Sequence, residues 1–486
     1  MVLWPIPNNY VFGEKNITIN MKDLKLDATN QNQDVLDAFD RIKEFIALHT
    51  QASLEKYDVD TLHVEIENLE CPLAQDVNES YTLVVPDNSN VITITAPCIN
   101  GYYHALHTFA QLVQFMPTKH SYMIKKAPWS IKDEPLFSYR GVMIDSARHF
   151  LPVKTIKSVI ESLSIFKLNV LHWHITDDQS FPLEIPNYDA SPAAFSQYER
   201  YSVEDAKEIV EFARKRGVRV IAEDDVPGHA SVWCNIDSSI CPSTECRSPL
   251  NPANEHTFDF IDNIIKNFAE IFPDAFFHIG GDEVDTSCWN KVPEVADWMA
   301  AHNFTTTDAY SYFILRVRDI VIKYERTPVF WEEVFNSFSV PKDSIIEIWL
   351  GDKDKMRQVV SKGHRGIFSS YTEWYLSQPK RDWREVYNAD LMRGITDPEL
   401  QKLVLGGEVC MWGETADMSD LEQTIWPRGI AAAERLWTRP EFTDVEKATE
   451  RYAYQRCYMN WKGIVANPAF LPGRTAPGSP LACMMQ

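Results

Sequence analysis

The sequence predicts an α/β protein, a (β/α)8 TIM-type barrel preceded by a smaller α+β domain, and three observations predict it. From Phe137 onward eight short, strongly apolar segments recur, most of them followed by a helical pattern. Before that point strand-like and helix-like patterns mix in a different texture. At 486 residues the chain exceeds what one small core serves, so two domains are expected, residues 1–135 and 136–486.

In the first domain, apolar–polar alternation marks strands over Thr61–Glu67, Tyr81–Val85 and Asn90–Ala96. Amphipathic helix patterns cover 33–49 and about 101–116. The stretch Ala127–Pro135, with two prolines and several charges, reads as a linker. The barrel strands are then 139–145, 169–175, 219–224, 275–281, 328–334, 345–350, 365–371 and 403–412. Between them, Ile156, Val159, Ile160 and Leu163 trace a helix face, as do Phe260, Ile261, Ile264, Ile265 and Phe268. A helix over 203–216 carries its own punctuation: Ser202 at the N-cap, Asp205 three residues on, Gly217 past the end. Helices after strands five and seven are poorly marked. The competing architecture is an open doubly wound sheet, but no Gly-rich phosphate loop opens any of these helices.

Composition narrows function. Hydrophobic residues make up 45% and charged residues 24%, as in ordinary globular proteins. A net charge of −22 repels polyanions and argues against nucleic acid or an anionic membrane as partner. No apolar run approaches the roughly 18 residues of a membrane span. The N-terminal MVLWPIPNNYVFGEKN lacks the basic and apolar regions of a signal peptide. Three sequons, at Asn16, Asn78 and Asn303, and nine cysteines lead us to expect a processed chain of the lysosome or the secretory route. Cys234, Cys241, Cys246 and Cys288 crowd a loop-rich region, as structural disulfides do; with no CxxC pair, a zinc site is discounted.

A barrel carries its active site at the C-terminal ends of its strands. Read in order, those ends supply Asp145, Arg148 and His149; His172, His174, Asp177 and Asp178; Glu223, Asp225 and His229; and Asp282 with Glu283. Then come Trp331 and Glu332, Trp349, Trp374 and Tyr375, and finally Glu408, Trp412 and Glu414. Singly each has a bland reading, since tryptophans in strands are usually core and carboxylates near loops are usually solvated. A ring rich in both describes a sugar site, where aromatic faces stack on C–H faces and carboxylates grip hydroxyls. HIGGDEV (278–284) is the most specific element. Its glycines clear space before two adjacent acids, and Asp282 is the charged neighbour that can keep Glu283 protonated as a general acid. Ordinary retaining hydrolysis needs two carboxyls roughly 5–5.5 Å apart across the bond. Adjacent strand residues point apart, so this pair favours a substrate that supplies its own nucleophile.

HIGGDEV, with YRGVMIDSARHF (139–150), LNVLHWHITDDQSFP (168–182), VPGH (226–229), WYL (374–376) and GGEVCMWGE (406–414), resembles the family-20 glycoside hydrolases, the β-N-acetylhexosaminidases. The similarity runs from LWPIP to RCYMNWKGI and is greatest to the eukaryotic lysosomal-type enzymes. It implies an exo-acting enzyme that removes terminal N-acetylglucosamine or N-acetylgalactosamine from glycoproteins, glycolipids or chitooligosaccharides, retaining configuration through an oxazoline-type intermediate. It implies no cofactor and no metal, and a homodimer.

By resemblance, Glu283 is the general acid and base, Asp282 orients the substrate acetamide, and Tyr375 binds its carbonyl oxygen. Trp331, Trp349 and Trp412 box the acetamide methyl and the sugar face. Arg148 and Glu414 bind hydroxyls of the terminal sugar, Asp177 and His229 are linked to the acid, and Asp225 is a nearby aspartate. The resemblance also pairs Cys71 with Cys98, Cys457 with Cys483, and Cys288 with Cys241 or Cys246, leaving Cys410 a buried thiol. Two departures stand out: Asp224, where the family usually has an apolar residue, and Ser377–Gln378 after WYL, which leave preference for 6-sulfated sugars undecided. Two other classes compete. Histidines 172, 174 and 229 with Asp177 and Glu223 suit a metal-assisted hydrolase, but metal ligation does not call for the tryptophans or HIGGDEV. A silent sugar-binding protein has no need of both acids.

Overall fold

The computed structural model describes residues 2–51, 56–186 and 188–469, so Cys483 lies outside it. The first unit is a seven-stranded sheet: β1 (Asn9–Ile19), β2 (Lys25–Ala28), β3 (Thr61–Asn68), β4 (Tyr81–Val85), β5 (Val91–Cys98), β6 (Val113–Met116) and β7 (Ser121–Asp133). Its order is β1-β7-β4-β5-β3-β2, with β6 beside β7. The helices Gln33–Ile46 and Ile99–Leu112 share a core with the sheet's inward residues. The first buries Val35, Ala38, Phe39, Ile42 and Ile46, a three- and four-residue spacing that puts them on one face.

The expected linker is a correction. Residues 127–133 are the end of β7 and pair with β1 on one side and β4 on the other, inside the sheet. Its buried Trp129, Ile131 and Asp133 alternate with exposed Pro128, Ser130 and Lys132. Prolines and charges on the outward face of a strand imitate a linker's composition. The second helix ends at Leu112 rather than 116, because the chain turns there into β6.

The second unit is a closed parallel barrel of β8 (Tyr139–Asp145), β9 (Val170–His174), β10 (Arg219–Glu223), β11 (Phe276–His278), β12 (Thr327–Trp331), β13 (Ile345–Ile348), β14 (Arg365–Phe368) and β15 (Val404–Met411). The capping box on helix Val203–Arg214 is formed, with Ser202 Oγ accepting from Asp205 N at 3.0 Å and Asp205 Oδ2 from Ser202 N at 2.9 Å. After β12 only the short helix Glu332–Ser337 follows, and after β14 only the short helices Trp383–Tyr387 and Pro398–Gln401, which is why periodicity barely marked them. Inward side chains form tiers. Tyr139, Val170, Ile221, Phe276, Val329, Ile345, Ile367 and Leu405 close the bottom. Above them sit buried His172, Glu223, His278, Glu347 and Glu408. Met143, Trp331, Tyr375, Cys410 and Trp412 form the top.

The two units meet near the starts of the barrel strands, away from the cavity described below. Arg140 of β8 donates to both oxygens of Glu79 at 2.8 Å. Asp133 at the end of β7 accepts from Lys167 Nζ and Trp437 Nε1, both at 2.9 Å. Burial alone would raise the Glu79 carboxyl, but Arg140 and His104 hold it at about 2. Removing one charge of a buried pair strands the other. Glu79→Gln is therefore expected to cost about 3–5 kcal/mol of stability. The denaturant midpoint reads this directly, and an unchanged midpoint would show that the pair does not hold the units together.

Disulfides join Cys71–Cys98, Cys234–Cys241 and Cys246–Cys288, and Cys410 is a buried free thiol. The asparagines of all three sequons are exposed.

Candidate active site

A cavity of about 400 Å³ opens at the C-terminal ends of the barrel strands, a size suited to a small-molecule site. Nine of the residues singled out in the sequence line it: Arg148, Asp225, His229, Asp282, Glu283, Trp349, Tyr375, Trp412 and Glu414. Trp331 is 1% exposed and packs in the tier beneath, and Asp177 is equally buried behind His229.

The turn after β11 explains how two adjacent acids reach different depths. Gly280 and Gly281 take φ of +72° and +89°, and Glu283 itself sits at +47°. A Cβ on Gly280 would lie 1.9 Å from Asp225 Oδ1, so only glycine leaves room for that carboxyl. Left-handed backbone at a non-glycine residue costs on the order of 1–3 kcal/mol and is typical of functional sites. The result separates the pair: the Glu283 side chain is 59% exposed at the mouth, the Asp282 side chain 10% exposed deeper in. His229 also has positive φ, +50°, which brings its Nε2 to 3.4 Å from Glu283 and 3.7 Å from Asp282.

From Glu283 inward, charges alternate in sign. His229 Nδ1 lies 3.3 Å from Asp177 Oδ1. Asp177 Oδ2 meets His174 Nε2 at 3.0 Å and Arg148 Nη2 at 2.5 Å. His174 Nδ1 reaches Glu223 at 2.5 Å, and His172 bridges Glu223 and Glu408 at 3.1 and 2.7 Å. Burial opposes each charge, but the partners prevail. Glu223 and Asp177 raise His174 to about 9, and His172 and His229 are raised too. Asp177 falls well below the carboxylate range through His174, His229 and Arg148. His172 and His174, gripped by Glu223, Glu408 and Asp177, form a buried ionic support beneath the cavity, with Trp331 Nε1 donating to Glu223 at 2.8 Å.

The hydrogen bond from His229 lowers the Glu283 carboxyl in the open site. Burial raises Asp282 and, with the Asp282 charge, raises Asp225 further. Around the acids the aromatic rings make walls. Trp349 and Tyr375 stack at 6.0 Å with 8° between planes, Trp412 stands 6.0 Å from Tyr375, and Arg148 lies 5.0 Å over Trp412. Such a box takes a flat apolar group with a polar end.

Several residues stand elsewhere than the strand-end reading placed them. Trp374 is fully buried and donates to Val386 O, facing away from the cavity. Glu332, Glu223 and Glu408 are buried supports; Glu332 Oε2 accepts the backbone N–H of Trp349 and Leu350 at 2.8 and 2.9 Å. Asp224 is buried, receives Trp233 Nε1 at 3.3 Å, and is pushed up to about 7 chiefly by burial. Two residues went unread. Glu333 accepts Trp349 Nε1 at 2.8 Å and is raised to about 8 by burial and the Asp282 charge. Tyr371, half-exposed, lines the mouth beside Ser377 and Gln378. Glu333 was visible as the second acid of PVFWEEV, but only the start of the helix at Glu332 decides which acid supports the tryptophan's backbone and which its indole.

Residues 137–440 match the family described as glycosyl hydrolase family 20, catalytic domain, and residues 3–112 match a region described as beta-acetyl hexosaminidase like. Among curated proteins, the chain is 43% identical to beta-hexosaminidase 1 of Arabidopsis thaliana over 510 residues, covering 100% of this chain and 94% of that protein. It is 34% identical to the human beta-hexosaminidase subunit beta, covering 81% of this chain and 72% of that one. Among solved structures, a chitobiase of Flavobacterium johnsoniae superposes with a TM-score of 0.85 at 27% identity, covering 95% of this chain and 73% of that one.

Proposed function

This chain belongs to glycosyl hydrolase family 20, and on that footing we propose that it is an exo-β-N-acetylhexosaminidase whose substrate supplies its own nucleophile. The observation that carries this reading is the split of Asp282 and Glu283 between two depths of one cavity. An acetamide seated between Trp349, Tyr375 and Trp412 presents its N–H to Asp282 and its carbonyl oxygen to the Tyr375 hydroxyl. Held so, the oxygen attacks the anomeric carbon while Glu283 gives its proton to the departing oxygen. Asp282 balances the positive charge of the oxazolinium ring, a pre-placed counter-charge of the kind that dominates many rate enhancements. Glu283 then takes a proton from the water that opens the ring, so configuration is retained. Arg148 and Glu414 hold hydroxyls of the terminal sugar, which makes the attack exo. Trp331 forms the floor; Asp177 and His229 orient the acid.

The same reading makes the protein a lysosomal-type enzyme of an acidic organelle or the cell exterior, which three disulfides and exposed sequons at Asn16, Asn78 and Asn303 support. Its homodimeric state is carried by the family resemblance, as is the Cys457–Cys483 bridge.

Hydrolysis of an aryl N-acetyl-β-glucosaminide and of the matching aryl β-glucoside, each with and without chelator, tests the chemistry. We expect cleavage of the first alone, unaffected by chelation. Cleavage of both would mean that the protein provides the nucleophile or an activated water. Sensitivity to chelator would instead favour the metal-assisted class.

A further inference from the structure

The buried oxygens behind the cavity are unequally served. Asp225 Oδ1 accepts the N–H of Gly281 at 2.9 Å, while its Oδ2 is buried and reached by no donor. Asp282 Oδ1 is likewise buried and unserved, and its Oδ2 lies 3.7 Å from His229 Nε2. Polar atoms of Asp225, His229 and Asp282 lie within 4.8 Å of one another. His229 is the cation that meets Asp282, and Asp177 and Glu283 share it; His174 lies within 4.8 Å of Asp225, but both of its ring nitrogens are taken by Glu223 and Asp177. The other titratable groups facing the pair are Glu223, Glu333, Tyr310 and Tyr375, with Glu283 across the shared His229, and none of them brings a positive charge. Two buried carboxyls so close keep one proton between them.

Space decides which acid keeps it. Asp225 fills the gap left by the missing side chain of Gly280 and is 1% exposed, whereas Asp282 is 7% exposed and faces the imidazolium. We propose that Asp225 is a positioning residue that, as a neutral acid, donates its proton to Asp282 and holds that carboxylate singly charged and turned toward the substrate acetamide. The proposal rests on the hexosaminidase reading and places Asp225 behind Asp282 rather than on the sugar. A neutral carboxyl at this place orients Asp282 without adding a charge that would compete for His229.

Wild type, Asp225→Asn and Asp225→Leu are compared on the aryl N-acetyl-β-glucosaminide across pH. Leu removes the donor and is expected to lower kcat by about 100-fold with a smaller change in KM. Asn restores a donor to Asp282 and an acceptor for Gly281 N–H, so it should recover most of that loss. An amide cannot ionise, so its activity should also persist to higher pH than that of the wild type. An Asn variant as impaired as Leu, or a Leu variant with ordinary kcat, overturns the proposal. Difference infrared spectra of wild type against Asp225→Asn at neutral pH should carry a protonated-carboxyl C=O stretch that Asn abolishes. Its absence overturns the proposal whatever the turnover. A wild type that leaves the aryl substrate intact sinks the hexosaminidase reading instead, and the infrared band still locates the proton.

Discussion

Glu283→Gln should lower kcat/KM on a disaccharide substrate by about 10³-fold or more, within the range general acid–base catalysis supplies. The loss should shrink for aryl leaving groups acidic enough to depart without a proton, so the ratio between the two substrates separates acid catalysis from a folding defect. His229 holds Glu283 below its ordinary value, which favours the ionised form in the free protein. A sugar laid over a side chain that is 59% exposed removes its water and raises its pKa. Substrate binding and proton uptake are thereby coupled. A depressed free-state pKa means the protonated fraction falls as pH rises through it, so kcat/KM should fall from acid toward neutral pH. Near-normal turnover of every substrate by Glu283→Gln would remove the assignment.

Asp282→Asn should lower kcat by about 10²–10³-fold, comparable to the loss of one pre-placed oxyanion-hole donor. The amide keeps the shape and still offers an oxygen to the acetamide N–H, but its charge is gone when the oxazolinium forms. The effect should therefore appear in kcat more than in KM. A thiazoline that mimics the cyclised intermediate should lose affinity for the variant by a similar factor, while the product N-acetylglucosamine loses much less. Equal weakening of both ligands would assign Asp282 to ground-state binding, and unchanged kcat would remove its role altogether.

Much of this protein is legible along the chain. The eight barrel segments are local apolar runs, and Ser202, Asp205 and Gly217 punctuate a helix from within their own neighbourhood. HIGGDEV also announces itself locally, because glycines that clear space for a carboxyl must stand next to the acids they serve. The linker misreading around 127–133 shows the limit: an outward strand face and a linker share a composition, and only pairing with β1 and β4 tells them apart. The same limit applies to Trp374 and Glu332, which sit at strand ends yet face into packing.

The sequence by itself determined the barrel, the family and the two acids, since periodicity, turn chemistry and adjacent motifs are properties of neighbouring residues. Tertiary structure alone decided the charge states. Asp177, His174, Glu223 and Asp225 lie on different strands and loops, and each owes its protonation to how deeply it is buried and to which distant partner meets it. Burial and Coulomb attraction depend on distance in space, which the order of residues along a chain does not state.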